Sequence, residues 1–298
     1  MPAASVPRAA AVALAALPVV VACSTASTAI PAPVPIATTT LLARLGTDTV
    51  ALEQYTRTAT HMEGTLVTRL PATRISRYSV EFGPNGAPTR ATLSVRDGNG
   101  APLSGGLQSL SVRFGRDSAT FVGHRSASDT SHAFALRGLV LPSLPFSYGL
   151  YEVGLARMSR VARDSIEFAN VPLSFDTRQA TPQAVRVVSH DSVRITVNDR
   201  PLYVRHDGRG GIVAVDGART TFKVLVERVD SLDLEAMARA WAQREQGSTP
   251  AGQASPRDTV QATVGAAHLR IDYGRPAPRG RDVCTRCGRR LVPAATGS

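Results

Sequence analysis

A period-two alternation of apolar and polar residues, broken by tight-turn signals, runs through most of this chain and limits what it can fold into. Successive side chains of a strand point to opposite faces. Such alternation therefore builds sheet with one buried and one wet face, the habit of antiparallel strands. From Thr49 to about His132, Val50, Leu52 and Tyr55 open the pattern, Leu66-Val67 and Leu70 follow, and Ile75, Tyr78, Val80 and Phe82 come in near alternation. Leu93 and Val95 lead into Asp97-Gly98-Asn99-Gly100, a strong turn signal. Leu110, Val112 and Phe114 precede Gly115, and Ala119 and Phe121 precede Gly123.

The rhythm changes after Gly138. Pro142 and Pro145 exclude a regular helix across that apolar stretch. Tyr148, Tyr151, Leu155 and Met158 then recur at spacings of three and four, which predicts an amphipathic helix from Ser147 to about Arg163. Alternation resumes at Val185, Val187 and Val188. It passes turns at His190-Asp191, Asn198-Asp199 and His206-Asp207-Gly208-Arg209-Gly210-Gly211, and it closes on Phe222, Val224 and Val226. Asp230 or Ser231 caps a second helix, whose Leu234, Met237, Ala238 and Trp241 form one apolar stripe before Gly247.

The expected fold is mainly β (α+β). It is a curved antiparallel sheet or half-barrel over residues 41–246, with a central and a C-terminal helix, then a linker (247–257) and a short β segment (258–298). A sheet wrapped around a helix can enclose an apolar cavity. Phe146, Tyr148, Tyr151 and Trp241, aromatics on or beside the helices, are the candidate ligand-contact residues, and plain core is the competing role for them.

The N-terminus carries an address. One basic side chain, Arg8, precedes an uncharged apolar run, Ala9 to Ala22, and then Cys23. The run is shorter than the roughly 20 residues of a membrane span and fits the core of a signal peptide. A small residue followed by cysteine resembles a bacterial lipoprotein signal. That resemblance implies removal of residues 1–22 and lipidation of Cys23. An ordinary secretory signal cut within Ser24–Ala29 is the other reading. Residues 23–40 are rich in Ala, Thr, Pro and Ser and read as a flexible tether. The expected location is the cell envelope, lipid-anchored and facing the periplasm, with Ser24 favouring the outer membrane. The expected partners are the membrane through its lipid anchor and either an apolar small molecule or an envelope protein.

The formal charge of +11 does not imply nucleic acid. Between Arg275 and Ser298 six arginines and one acid, Asp282, give 6 − 1 = +5, so much of the excess lies in the tail. Elsewhere acids are interspersed, and Lys223 is the single lysine. With Cys23 acylated, only Cys284 and Cys287 remain, too few for a disulfide framework.

After the linker, Thr259-Val260-Gln261-Ala262-Thr263-Val264-Gly265 leads into Leu269-Arg270-Ile271-Asp272-Tyr273-Gly274-Arg275-Pro276 and Arg279-Gly280-Arg281. Over Ser255 to Asp282 this resembles the opening of the bacterial family called domain of unknown function 2911. Members begin with two short strands, a Tyr-(Gly/Ser)-Arg-Pro turn and Lys/Arg-Gly-Arg. The resemblance implies a domain that continues well beyond this point. Here Leu291-Val292-Pro293 is followed by Ala294-Ala295-Thr296-Gly297-Ser298, so the segment reads as truncated. Its apolar residues lack strands to pair with, and the expectation is poor packing or an added edge strand.

No catalytic motif stands out. Cys284-Thr285-Arg286-Cys287-Gly288 resembles one zinc-ribbon knuckle, yet a structural zinc needs four ligands and no second pair is present. His61, His124, His132, His190, His206 and His268 show no metal spacing, and no Gly-x-Ser-x-Gly elbow occurs. No catalytic residue, metal or cofactor is therefore expected. A non-enzymatic binding lipoprotein is the leading reading. The alternatives are a hydrolase with Ser, His and Asp assembled by the fold, or a structural scaffold.

Overall fold

The computed structural model describes residues 37–274 apart from 127, 162, 198–199, 221–222 and 247–256. The signal, Cys23, Phe222, the Asn198-Asp199 turn and the Cys284–Cys287 pair lie outside the described residues.

Alternation builds two meanders. The first runs through β1 (Thr38–Leu45), β2 (Asp48–Arg57), β3 (His61–Thr68), β4 (Arg74–Phe82), β5 (Pro88–Asp97), β6 (Leu107–Phe114), β7 (Ser118–Arg125) and β8 (Ser128–Ala135). Then come β9 (Leu139–Ser143), helix α1 (Tyr151–Val161) and β10 (Ser165–Pro172). The second meander is β11 (Thr181–Ser189), β12 (Ser192–Val197), β13 (Arg200–His206), β14 (Ile212–Asp216) and β15 (Val224–Val229), followed by helix α2 (Leu234–Gln246). β15 pairs antiparallel with β1, which joins both meanders into one curved, open sheet of 15 strands. β8 and β9 are its edges. The chain is thus mainly β with two helices, as the alternation predicts.

Several local expectations shift. β1 begins at Thr38, inside the stretch read as tether, because Thr40 and Leu41 are already buried. The helix predicted from Ser147 starts at Tyr151. Before it the chain makes a tight turn in which the Tyr151 and Glu152 amides donate to the Tyr148 and Gly149 carbonyls, at 3.0 and 2.9 Å. The sheet is not antiparallel throughout: β9 and β10 are parallel, as a helical crossover between neighbouring strands requires. The cap of α2 is Asp233, whose carboxylate accepts the Ala236 amide at 2.9 Å, and not Asp230 or Ser231.

The sheet carries a core on each face. On the inner face, Leu41, Tyr55, Leu66, Tyr78, Val112 and Phe121 pack with Val153, Leu155 and Met158 of α1. On the outer face Leu52, Val67 and Ile75 meet Leu234, Ala238 and Trp241, so the stripe predicted for α2 covers a separate, smaller cluster. Glu245 clamps that helix by accepting the Thr73 amide at 2.9 Å and its hydroxyl at 2.7 Å.

Among the described residues, β16 (Arg257–Val264) and β17 (Ala267–Gly274) form a hairpin in a sheet of their own. It adds no strand to the large sheet, because its eight residue pairs are all with each other. Val260, Leu269, Ile271 and Tyr273 fall on one side by register and are exposed. A two-stranded hairpin without a covering layer is marginal in water. A chain ending at residue 246 should therefore keep the melting temperature of the full chain within about 2 °C. At this size a loss of about 1 kcal/mol would move it by about 2–4 °C. A fall of 5 °C in scanning calorimetry would show that the hairpin packs on the sheet.

Candidate functional site

The inner face places two carboxylates where the alternation calls for apolar side chains. Glu53 follows Ala51 and precedes Tyr55 on the buried side of β2 and is 1% exposed. Its Oε1 accepts the Tyr78 hydroxyl at 2.7 Å and the Ser147 hydroxyl. Its Oε2 accepts the backbone amides of Tyr148 and Gly149 at 2.7 and 2.9 Å. Those amides belong to the turn that opens α1, so a carboxylate from a distant strand satisfies the donors a helix start leaves free.

Glu152, in the first turn of α1, accepts the Tyr55 hydroxyl at 2.5 Å and the Ile212 amide at 2.8 Å. Arg57 stands 3.7 Å from its other oxygen. The bonds run both ways, β2 to the helix turn and the helix to β2 and β14. Glycine makes room for them. A Cβ on Gly64 would lie 2.5 Å from the Tyr78 ring, and one on Gly149 would lie 2.6 Å from the Tyr55 ring.

Burial drives the electrostatics. It pushes the Glu53 carboxyl above the usual glutamate range, against the lowering pull of the Gly149 amide, the Ser147 and Tyr78 hydroxyls and the Tyr148 amide. Glu152 is raised by burial too, opposed by Tyr55, the Ile212 amide, Arg57 and Arg228. Tyr55, Tyr78 and Tyr148 are likewise raised, by burial first and then by neighbouring acidic groups, Glu152 for Tyr55, Glu53 for Tyr78 and Tyr151 for Tyr148. Tyr151 is pushed up to about 12 by burial, partly offset by the Gln183 amide against its hydroxyl. These carboxylates hold a helix in place and are poorly placed to act on a substrate.

Of the four predicted aromatics, three come together. Tyr148 is buried, its ring centroid 6.2 Å from that of Tyr151, and Phe146 packs against the same core with its backbone in the left-handed region at φ 66°. Such a backbone at a non-glycine residue is strained and persists only where surroundings impose it. Trp241 belongs to the outer cluster under the Arg69 guanidinium, on the other side of the sheet, so the four do not line one cavity.

The histidines fall at the surface or in packing roles. His132 stacks on Phe121 at 4.9 Å and bonds the Thr177 carbonyl at 2.7 Å. His206 accepts the Gly208 amide at 3.2 Å. His124 bonds Asp129, and Ser109 faces it on the neighbouring strand. That row has the order of a hydrolytic triad, but no hydrogen bond links Ser109 to the imidazole and His124 is half-exposed. Among the described residues, no group of three or more His, Cys, Asp or Glu side chains is placed to hold a metal ion.

The chain matches no family in a comparison with protein-family models and no curated protein. Among solved structures it is similar to the crystal structure of a DUF1089 family protein from Pseudomonas aeruginosa. The likeness covers 56% of this chain and 89% of that one at 12% identity, with a TM-score of 0.42.

The buried carboxylates give a pH signature. A raised folded value means that, between about 4.3 and that value, the native state holds a proton the unfolded chain has released. Denaturant stability should therefore fall as pH rises from about 4.3 toward neutrality. The fall should shrink in Glu53→Gln. A rise in stability over the same interval would show that the donors, and not burial, set these groups.

Proposed function

We propose that this chain is a lipid-anchored protein of the bacterial cell envelope whose β-rich domain is a non-enzymatic binding module for an apolar ligand. Cys23 is the anchor, the domain faces the periplasm, and Ser24 favours the outer membrane. The binding role rests on one observation. On the edge strands and around the start of α1, apolar residues packed on the inner core stay only partly buried: Phe134 on β8, Leu139 and Val140 on β9, Leu144 and Phe146 in the turn, and Tyr151 on α1. Most of the rest of the inner core is buried leucine, valine and aromatic side chains, with Leu70, Val95 and Leu107 also partly covered. An open sheet with a half-covered apolar margin is a place where an acyl chain gains burial at about 25 cal/mol per Å².

The hydrolase reading has less support, because the buried acids bind structural donors and Ser109 is not bonded to His124. The resemblance of the tail to domain of unknown function 2911 is supported by the β16–β17 hairpin, the two short strands that such an opening would supply.

Two measurements test this reading. Intact-mass spectrometry of the membrane-purified protein should give a chain that begins at an acylated Cys23, and Cys23→Ser should release it into the soluble fraction. Solvent extraction of the purified protein should yield bound apolar molecules, and Phe146→Asp should lower that yield at least about threefold, given the cost of a charge in an apolar site. An unmodified N-terminus would refute the anchor. An extract no richer than that of an unrelated envelope protein would refute the binding role.

A further inference from the structure

The inner face near α1 holds two carboxamides with incomplete hydrogen bonding. Gln183 on β11 is 5% exposed, and its Oε1 has no partner among the described residues. Asn170 on β10 is half-buried, and its Oδ1 is also buried without a partner. Gln183 pairs across the strands with Phe168, whose side chain is in the inner core. Asn170 lies two residues further along β10, so both amides point to the inner face. The Gln183 amide lies against the Tyr151 hydroxyl.

Buried polar atoms without a partner are uncommon and each costs about 1–3 kcal/mol. Both unpaired atoms are carbonyl oxygens, so the pair is suited to a group that donates. The site adjoins Tyr151, which is one of the partly buried residues packed on the inner core and whose ring centroid lies 6.2 Å from that of Tyr148.

We infer that Gln183 and Asn170, with the Tyr151 hydroxyl, receive the head of an apolar ligand, and that this head is a neutral hydroxyl or carboxamide. This rests on the apolar-ligand reading above and names the class of ligand. An ionised head would carry the desolvation cost of a charge in an apolar site. A carboxylate head would also meet two amide oxygens that can only accept. A hydroxyl would donate to one of the oxygens, and a carboxamide N–H₂ has a proton for each. A bare hydrocarbon would leave both amides as they are.

The test uses the full mature chain, a fluorescent apolar dye (N-phenyl-1-naphthylamine), and three competitors with equal chains: dodecane, 1-dodecanol and dodecanoate. The inference predicts that 1-dodecanol displaces the dye at about tenfold lower concentration than dodecane or dodecanoate. In Gln183→Leu/Asn170→Leu the dodecanol preference should vanish while dodecane still competes. The same variant should melt at a higher temperature than the parent, because it removes two unsatisfied buried groups. If dye and dodecane bind but dodecanol has no advantage, or dodecanoate competes best, the head-group inference is overturned and the apolar-ligand reading stands. If neither dye nor dodecane binds, the apolar-ligand reading falls and the inference falls with it.

Discussion

The bond set around Glu53 is what the rest of the inner face depends on. A carboxylate on a β-strand would ordinarily face water. Here it is enclosed, and it takes the Tyr78 hydroxyl from β4 and a hydroxyl and two backbone amides from Ser147, Tyr148 and Gly149 near the sequence middle. Removing a buried polar group's partners is far more costly than the net worth of the bonds suggests, because the group left behind remains desolvated. The arrangement therefore fixes where α1 starts, and with it the turn that carries Phe146, Ser147 and Tyr148. Glu152 adds a second fastening from the helix back to Tyr55 and to the amide of Ile212, so β2, α1 and β14 are tied to one another.

The two faces divide the remaining work. The outer face is closed locally by α2, with Trp241 at its centre and Glu245 bonded to Thr73 at its end. The inner face is covered by α1, with apolar residues on the edge strands half-covered and two amide oxygens on β10 and β11 without partners. Incomplete satisfaction of buried polar atoms is the kind of local inconsistency that marks functional sites.

The alternating runs around Tyr78, Val112, Ile195 and Val204 were legible as strands because period two has no other common source. Asp97-Gly98-Asn99-Gly100 was legible as a turn, and the Asp97 carboxylate does accept the Asn99 and Ala101 amides at 2.9 and 2.8 Å. The stripe of α2 was legible too, though not that it would cover the outer face. β9 and β10 were hidden, since Pro142 and the short run of β9 disguise a buried edge strand paired in parallel. Of the candidate site, Phe146, Tyr148 and Tyr151 were picked from local spacing. Glu53 and Glu152 were missed, although Glu53 breaks the Ala51–Tyr55 alternation and Glu152 stands among apolar residues in the helix. A buried acid is recognisable only when its donors are known, and three of the four for Glu53 lie more than ninety residues away. Gln183 and Asn170 gave no sequence signal, as an amide in a strand reads as a wet-face residue.

The most direct test of this account is amide hydrogen exchange on Glu53→Gln. The glutamine keeps the volume but turns an N–H₂ toward donors that the carboxylate accepted. The account predicts that the amides of Tyr148, Gly149 and the first turn of α1 exchange about five- to a hundred-fold faster, corresponding to about 1–3 kcal/mol, while those of β12 to β14 keep their protection. Unchanged protection at Tyr148 and Gly149 would contradict it, because the helix would then be held by its apolar contacts alone.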